Sequence, residues 1–319
     1  MNFLRRFAGL IVTALSISTI LLVWFFRQDI YDWWRLRDYR PPQVVVSLAN
    51  STTMTPEGKK IFYVNRPAIS TASEFNAECS SETSIVLGCY VPAKGIFLYD
   101  VTDSRLSGVK EVTAAHEMLH AAYDRLSKIE RERVDKLTQA AFLTVTNERI
   151  KSTVEKYRQQ DPRVVPNELH SILATEVKDL SPELETYYKR YFSNRAAIIV
   201  FSDQYESEFS SRQKQVNDYD NQLAQLKTEV DANRNELSLQ YNALTSGKRR
   251  LDKMLNSGDV SGYNQAVPAF NEQVSQYNAS VREADKLINS YNEIVEKRNN
   301  IAGEVQNLAE AIDSRPQSF

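Results

Sequence analysis

Three histidines occur in the whole sequence, and two of them, His116 and His120, bracket a glutamate in the run HEMLH. Histidines four apart on a helix project from one face, one turn apart, so both imidazoles can reach a single metal ion. Glu117, between them, is offset enough to hold a water beside that ion and take its proton. The chemistry these residue types predict is hydrolysis assisted by Zn2+, with His116 and His120 as ligands and Glu117 as general base. A helix over 109–126 carries Val112, Ala115, Leu119, Ala122 and Leu126 on one apolar stripe, with the three polar residues beside it. The competing reading is a surface helix with two incidental histidines. The scarcity of histidine in this chain weighs against it.

A catalytic zinc takes three protein ligands and keeps one position open. The third histidine, His170, lies in VPNELHSILATEVKDL (165–180), where Pro166 and Asn167 read as a helix start with Asn167 as N-cap. On that helix Leu169, Ile172, Leu173, Val177 and Leu180 form the apolar stripe, and Glu176 falls inside it. A carboxylate facing a core is costly unless paired or bound to metal, which makes Glu176 the expected third ligand. Glu168 is the alternative; otherwise it is a first-turn glutamate facing the helix dipole. His170 shares neither glutamate's face and reads as a group supporting the ligands, a transition-state donor or a solvated bystander. Asp124, one turn past His120, is a candidate to orient that imidazole, against the plainer reading of a surface aspartate. Tyr123, Tyr187 and Tyr188 are candidate donors to an oxyanion.

The elements that must position these residues follow from patterning. FAGLIVTALSISTILLVWFF (7–26) is uncharged and long enough to cross a bilayer as a helix, and aromatic residues cluster at its end and beyond it. It ends in bulky aromatics and an arginine rather than a small-residue cleavage site, so the expectation is a retained anchor over residues 1–28, not a signal peptide. Residues 29–42, closed by Pro41 and Pro42, read as a juxtamembrane stalk. Residues 43–202 are the globular candidate, opening with the strand-like runs VVVSL (44–48), KIFYV (60–64), SIVLGCY (84–90) and GIFLYDV (95–101) before helical spacing takes over. The expected class is α+β: a small sheet, then helices. In residues 203–319, Val216, Leu223, Val230, Leu237, Leu244 and Leu251 recur every seven residues. After NSGDVSG (256–262) a second register holds Val267, Val274, Val281, Ile288 and Val295. Two such segments joined by a turn predict a long antiparallel helical coiled-coil hairpin.

A net charge of −2 over 319 residues gives no reason to expect nucleic acid as a partner. Cys79 and Cys89 flank a short segment that a disulfide could close, which would suit an extracytoplasmic domain; two free thiols are the alternative. The arginines after the apolar run would by simple count keep the C-terminal side in the cytoplasm, but long domains translocate largely regardless of charge.

HEMLH, followed some fifty residues later by NELHSILATE, resembles gluzincin-type zinc metallopeptidases, which use two histidines and a glutamate. The N-terminal anchor together with LGCY, IFLYDVTDSRL and EVTAAHEMLHAAYDRL is similar to a family of uncharacterised, membrane-anchored bacterial metallopeptidases. The zincin resemblance covers about residues 95–180 and implies a membrane-bound hydrolase acting on peptide bonds. In many HExxH enzymes an Asn-Glu pair opens the third-ligand helix, which recommends Glu168, and in zincins an edge strand before the HExxH helix pairs with an extended peptide, a role GIFLYDV would take. The rival function is an envelope scaffold working through its coiled coil, with an inactive or structural zincin-like domain. In either case the expected partners are the bilayer, through residues 7–26, and a coiled-coil protein or a second copy of the chain. Peptide substrate is added only in the first.

Overall fold

The computed structural model describes residues 2–79 and 85–315, with backbone only for residues 2–14. The chain divides into two units, one of residues Met1–Glu208 with Ala309–Phe319 and one of Phe209–Leu308. In chain order the elements are α1 (Asn2–Leu36), α2 (Gln43–Ser51), α3 (Pro56–Val64), β1 (Ala68–Ser70), α4 (Ala72–Glu78), β2 (Gly88–Val91), β3 (Gly95–Tyr99), α5 (Val109–Asp124), α6 (Lys128–Phe142), α7 (Glu148–Gln160), α8 (Val165–Glu176), α9 (Pro182–Tyr188), α10 (Ala196–Asn256) and α11 (Val260–Ile312). The described residues are mostly helical, with one small mixed sheet.

Two of the four strand-like runs are helices. VVVSL lies in α2, where Val45, Leu48 and Ala49 are buried, the i, i+3, i+4 spacing of one helix face. KIFYV lies in α3, begun by Pro56 at its first position and by Thr55, whose side chain accepts from the Gly58 N–H. Both helices pack on α5, and burial against a helix outweighs the strand preference of valine and phenylalanine. The other two runs hold β2 and β3, and the three-residue β1 completes the sheet.

The sheet order is β1-β3-β2. β3 runs parallel to β1, with Ala68 opposite Phe97, and antiparallel to β2, with Cys89 opposite Phe97. Ile96 and Leu98, alternate residues of β3, are fully buried. β3 is therefore the central strand, which corrects the expectation that GIFLYDV offers a free edge to a peptide. Cys79, at the end of α4, and Cys89, in β2, form a disulfide.

α5 is the hub of the first unit. β2 and β3 pack on it, as do α2, α3 and α8. Ala114, Ala115, Met118, Leu119, Ala121 and Ala122 are all buried, and the run of small residues lets neighbours approach closely. Gly108, at φ 98°, turns the chain into α5 in a conformation that side chains other than glycine rarely adopt.

α1 continues into the segment read as a stalk. It stays helical to Leu36, and Asp32 is buried against the domain. The part of the apolar run from residue 7 to residue 14 lies outside the residues with described side chains. Among the described residues no helix is long and apolar enough to cross a membrane. From Leu15 to Phe26 the large apolar side chains are exposed, Phe25 at 77%.

In the second unit the heptad segments form one antiparallel pair. Arg212 Nε lies 2.8 Å from Glu304 and Arg298 Nε 3.0 Å from Asp220. Tyr241 faces Tyr277 with ring centroids 6.5 Å apart, and Gly247 faces the ring of Phe270. The turn between the helices contains Gly258 at φ 76°.

Candidate metal centre

His116 and His120 lie one turn apart on α5, with ring centroids 4.7 Å apart. Both face Glu168, in the first turn of α8. His116 Nε2 is 3.6 Å from Glu168 Oε2, and His120 Nε2 is 3.7 Å from Oε1. These separations exceed hydrogen-bond reach. They approach the spacing of about 3.4 Å between ligand atoms held tetrahedrally at about 2.1 Å from one ion. One ligand atom from each of the three residues lies within 4.8 Å of the others. Glu168 Oε2 is buried and has no hydrogen-bond partner, so the carboxylate presents a desolvated lone pair to two imidazoles. Burial pushes the Glu168 carboxyl up, but the facing imidazoles and a hydrogen bond with Tyr157 hold it below the usual carboxylate range. The arrangement fits a metal cation on its own chemistry: two imidazole nitrogens and one carboxylate converge, with Tyr157 alongside the carboxylate.

Asn167 does not cap α8, which starts at Val165. Its Oδ1 instead lies 3.0 Å from His120 Nδ1, with Ser171 Oγ at 3.4 Å from the same nitrogen. With Nδ1–H donating to Asn167, the tautomer leaves Nε2 free as a ligand, the usual arrangement behind a metal-bound histidine.

Glu117 is 5% exposed and lies beneath β2. Burial pushes its carboxyl up to about 7, and the backbone N–H of Tyr90 hydrogen-bonds to it. The close packing depends on Gly88: a Cβ there would come within 2.5 Å of Thr113 Cγ2 and 2.9 Å of Glu117 Oε1. His116, His120, Glu168, Glu117 and β2 line a cleft of about 590 Å3, whose lining also includes Asp124, Arg131 and Tyr157.

The other expected site residues lie elsewhere. Glu176, the preferred third ligand in the sequence, pairs with Arg149 Nη2 at 2.6 Å and is not in the cluster. Its place in the apolar stripe is satisfied by that arginine, which also holds Glu206. His170 is fully buried, not solvated. Its Nε2 is 2.9 Å from the Tyr187 hydroxyl, and the rings of Tyr123, Tyr188 and Tyr191 surround it. Burial pushes it down to about 3, so it is neutral. Asp124 hydrogen-bonds to Tyr90 rather than to His120. Tyr123 donates to Asp135 and Tyr188 to the His170 carbonyl, which removes both as free donors to an oxyanion. Tyr187 is engaged by His170 and Tyr191.

Tyr157 and Gly88 belong to the site without any motif that marks them. Tyr157 continues the stripe of Ile150 and Val154, both buried, and that i, i+4, i+7 spacing was its available signal. Gly88 carries no signal short of the packing itself.

Comparison with protein-family models, curated proteins and solved structures finds no match to this chain.

Proposed function

We propose that the protein is a membrane-anchored, zinc-dependent peptidase, and the observation that supports this best is the convergence of His116, His120 and Glu168 beside buried Glu117 in an open cleft. His116 Nε2, His120 Nε2 and a Glu168 oxygen would hold Zn2+, with Asn167 and Tyr157 fixing the second and third of these ligands. Bound there, the ion supplies a Lewis acid for the scissile carbonyl. Glu117 takes the proton of the attacking water and returns it to the leaving nitrogen. β2 positions the substrate: one of its sides pairs with β3, and among the described residues no strand covers the other, so an extended peptide can lie along it in the cleft. Residues 7–26 are the membrane anchor, their described part exposing apolar side chains from Leu15 to Phe26. The disulfide supports a location outside the cytoplasm.

The test uses full-length protein in detergent, supplied with zinc and a peptide library. Wild type cleaves, while Glu117→Gln retains zinc and loses at least about 100-fold in kcat/KM. Equal cleavage by Glu117→Gln, or no zinc uptake by the wild type, overturns the proposal.

A further inference from the structure

α1 continues past the end of its apolar face and is fastened to the domain there. Arg125 binds the buried Asp32 carboxylate with both terminal nitrogens, Nη1 to Oδ2 at 2.9 Å and Nη2 to Oδ1 at 3.0 Å. Gln28 donates to Oδ1 at 2.9 Å, and Lys60 Nζ lies 3.1 Å from Oδ2. A forked guanidinium–carboxylate pair fixes orientation as well as distance. Three residues on, Arg35 donates to the carbonyls of Val64 at 3.0 Å and Lys94 at 2.9 Å, and Arg66 donates back to the Arg35 carbonyl at 3.0 Å. Arg125 is also the residue that ends α5. The helix carrying His116 and His120 is thus joined directly to the base of α1.

This joint limits how far the cleft can stand from the bilayer. Six residues separate Phe26 from Asp32, about 9 Å of helix, and five separate Arg125 from His120, about 7.5 Å. With the width of one ion pair added, the cluster stays within roughly 30 Å of the hydrocarbon edge at any tilt. That distance is about nine residues of extended peptide. Trp33 and Trp34, beyond the apolar run, are exposed at 64% and 57%, suited to the headgroup layer. A freely diffusing peptide gains nothing from a cleft at fixed height, whereas a peptide held in the same bilayer is presented to it. Resting on the anchored-peptidase reading above, we infer that the substrate class is the membrane-proximal segment of a bilayer-attached polypeptide, cut within about ten residues of the lipid.

The experiment reconstitutes full-length protein in phosphatidylcholine vesicles with palmitoylated peptides. In each, one cleavable sequence follows a proline-rich spacer that rises about 3.1 Å per residue. Spacers of up to about ten residues support the fastest cleavage, and the rate falls at least about fivefold at about thirty residues, where the site stands roughly 90 Å out. The same peptides without lipid are cut at one rate whatever the spacer. Asp32→Asn weakens the joint, and a Gly-Ser insertion after Arg27 loosens it without touching packed residues; both flatten the spacer profile. Spacer-independent cleavage of the lipidated peptides, with the free peptides still cut, overturns the membrane-proximal assignment and leaves the peptidase standing. Absence of cleavage in both sets overturns the peptidase reading and this inference with it.

Discussion

Gly88→Ala probes the contact between β2 and the helix that carries the site. The new methyl would lie 2.5 Å from Thr113 Cγ2 and 2.8 Å from Glu117 Cγ, against about 3.5–4.0 Å for an unstrained carbon contact. Thr113 is held by its hydroxyl, which donates to the Val109 carbonyl at 2.8 Å, so β2 must lift off α5 or Glu117 must turn. Overpacking of this size costs about 1–3 kcal/mol, or roughly 2–12 °C in Tm at the 2–4 °C per kcal/mol of a domain this large. If the peptidase proposal holds, displacing Glu117 by about 1 Å also lowers peptide hydrolysis about 100-fold. Thr113→Ser separates the two effects. It removes Cγ2 and keeps the hydroxyl, so Gly88→Ala combined with Thr113→Ser regains most of the lost Tm while hydrolysis stays low, because the methyl still meets Glu117. Calorimetry and peptide hydrolysis on the three variants give the answer. A Gly88→Ala protein with wild-type Tm and wild-type rate would refute the reasoning.

Glu168→Gln abolishes stoichiometric zinc retention after dialysis, measured by elemental analysis, whereas Glu176→Gln retains zinc and lowers Tm, because its partner Arg149 loses a charged acceptor. Asn167→Ala leaves His120 Nδ1 without its nearest partner and weakens zinc binding about 10–100-fold in a competition titration. Arg125→Ala leaves Asp32 buried with only Lys60 and Gln28 nearby and destabilises by about 3 kcal/mol at neutral pH in denaturant titration. That loss shrinks with acid. Burial pushes the Asp32 carboxyl up, but Arg125, Gln28 and Lys60 outweigh it and hold it below the ordinary 3.8, so the stabilisation is complete above that value and disappears as pH falls through the lower folded value.

What the sequence revealed, and what it did not, follows from the range of the interactions involved. The α5 stripe was legible because Val112, Ala115, Leu119 and Ala122 repeat at helical spacing, and all four are buried. The hairpin was legible for the same local reason, in heptads. VVVSL and KIFYV were misread as strands because their residue types favour strands locally, while what buries them is a helix distant in sequence. Glu176 looked like a ligand because a carboxylate in an apolar stripe needs a partner. The partner exists, but it is Arg149 from another helix, a pairing no periodicity reports. Asn167 was read as a cap from its place before the apolar run, and only the approach of α8 to α5 shows that it serves His120. The Cys79–Cys89 pairing was one of two open readings, and the fold brings their Cα atoms to 5.9 Å.

X-ray absorption at the zinc edge of the full-length, zinc-loaded protein reads the proposed His116–His120–Glu168 coordination itself. The expected spectrum shows one zinc per chain with two imidazole nitrogens at about 2.0–2.1 Å, oxygen ligands at about 2.0–2.2 Å and no sulfur, with the two-imidazole signature unchanged in Glu117→Gln and lost in His116→Ala. A zinc shell with fewer than two imidazoles in the wild-type protein, or a spectrum indifferent to His116→Ala, would contradict it.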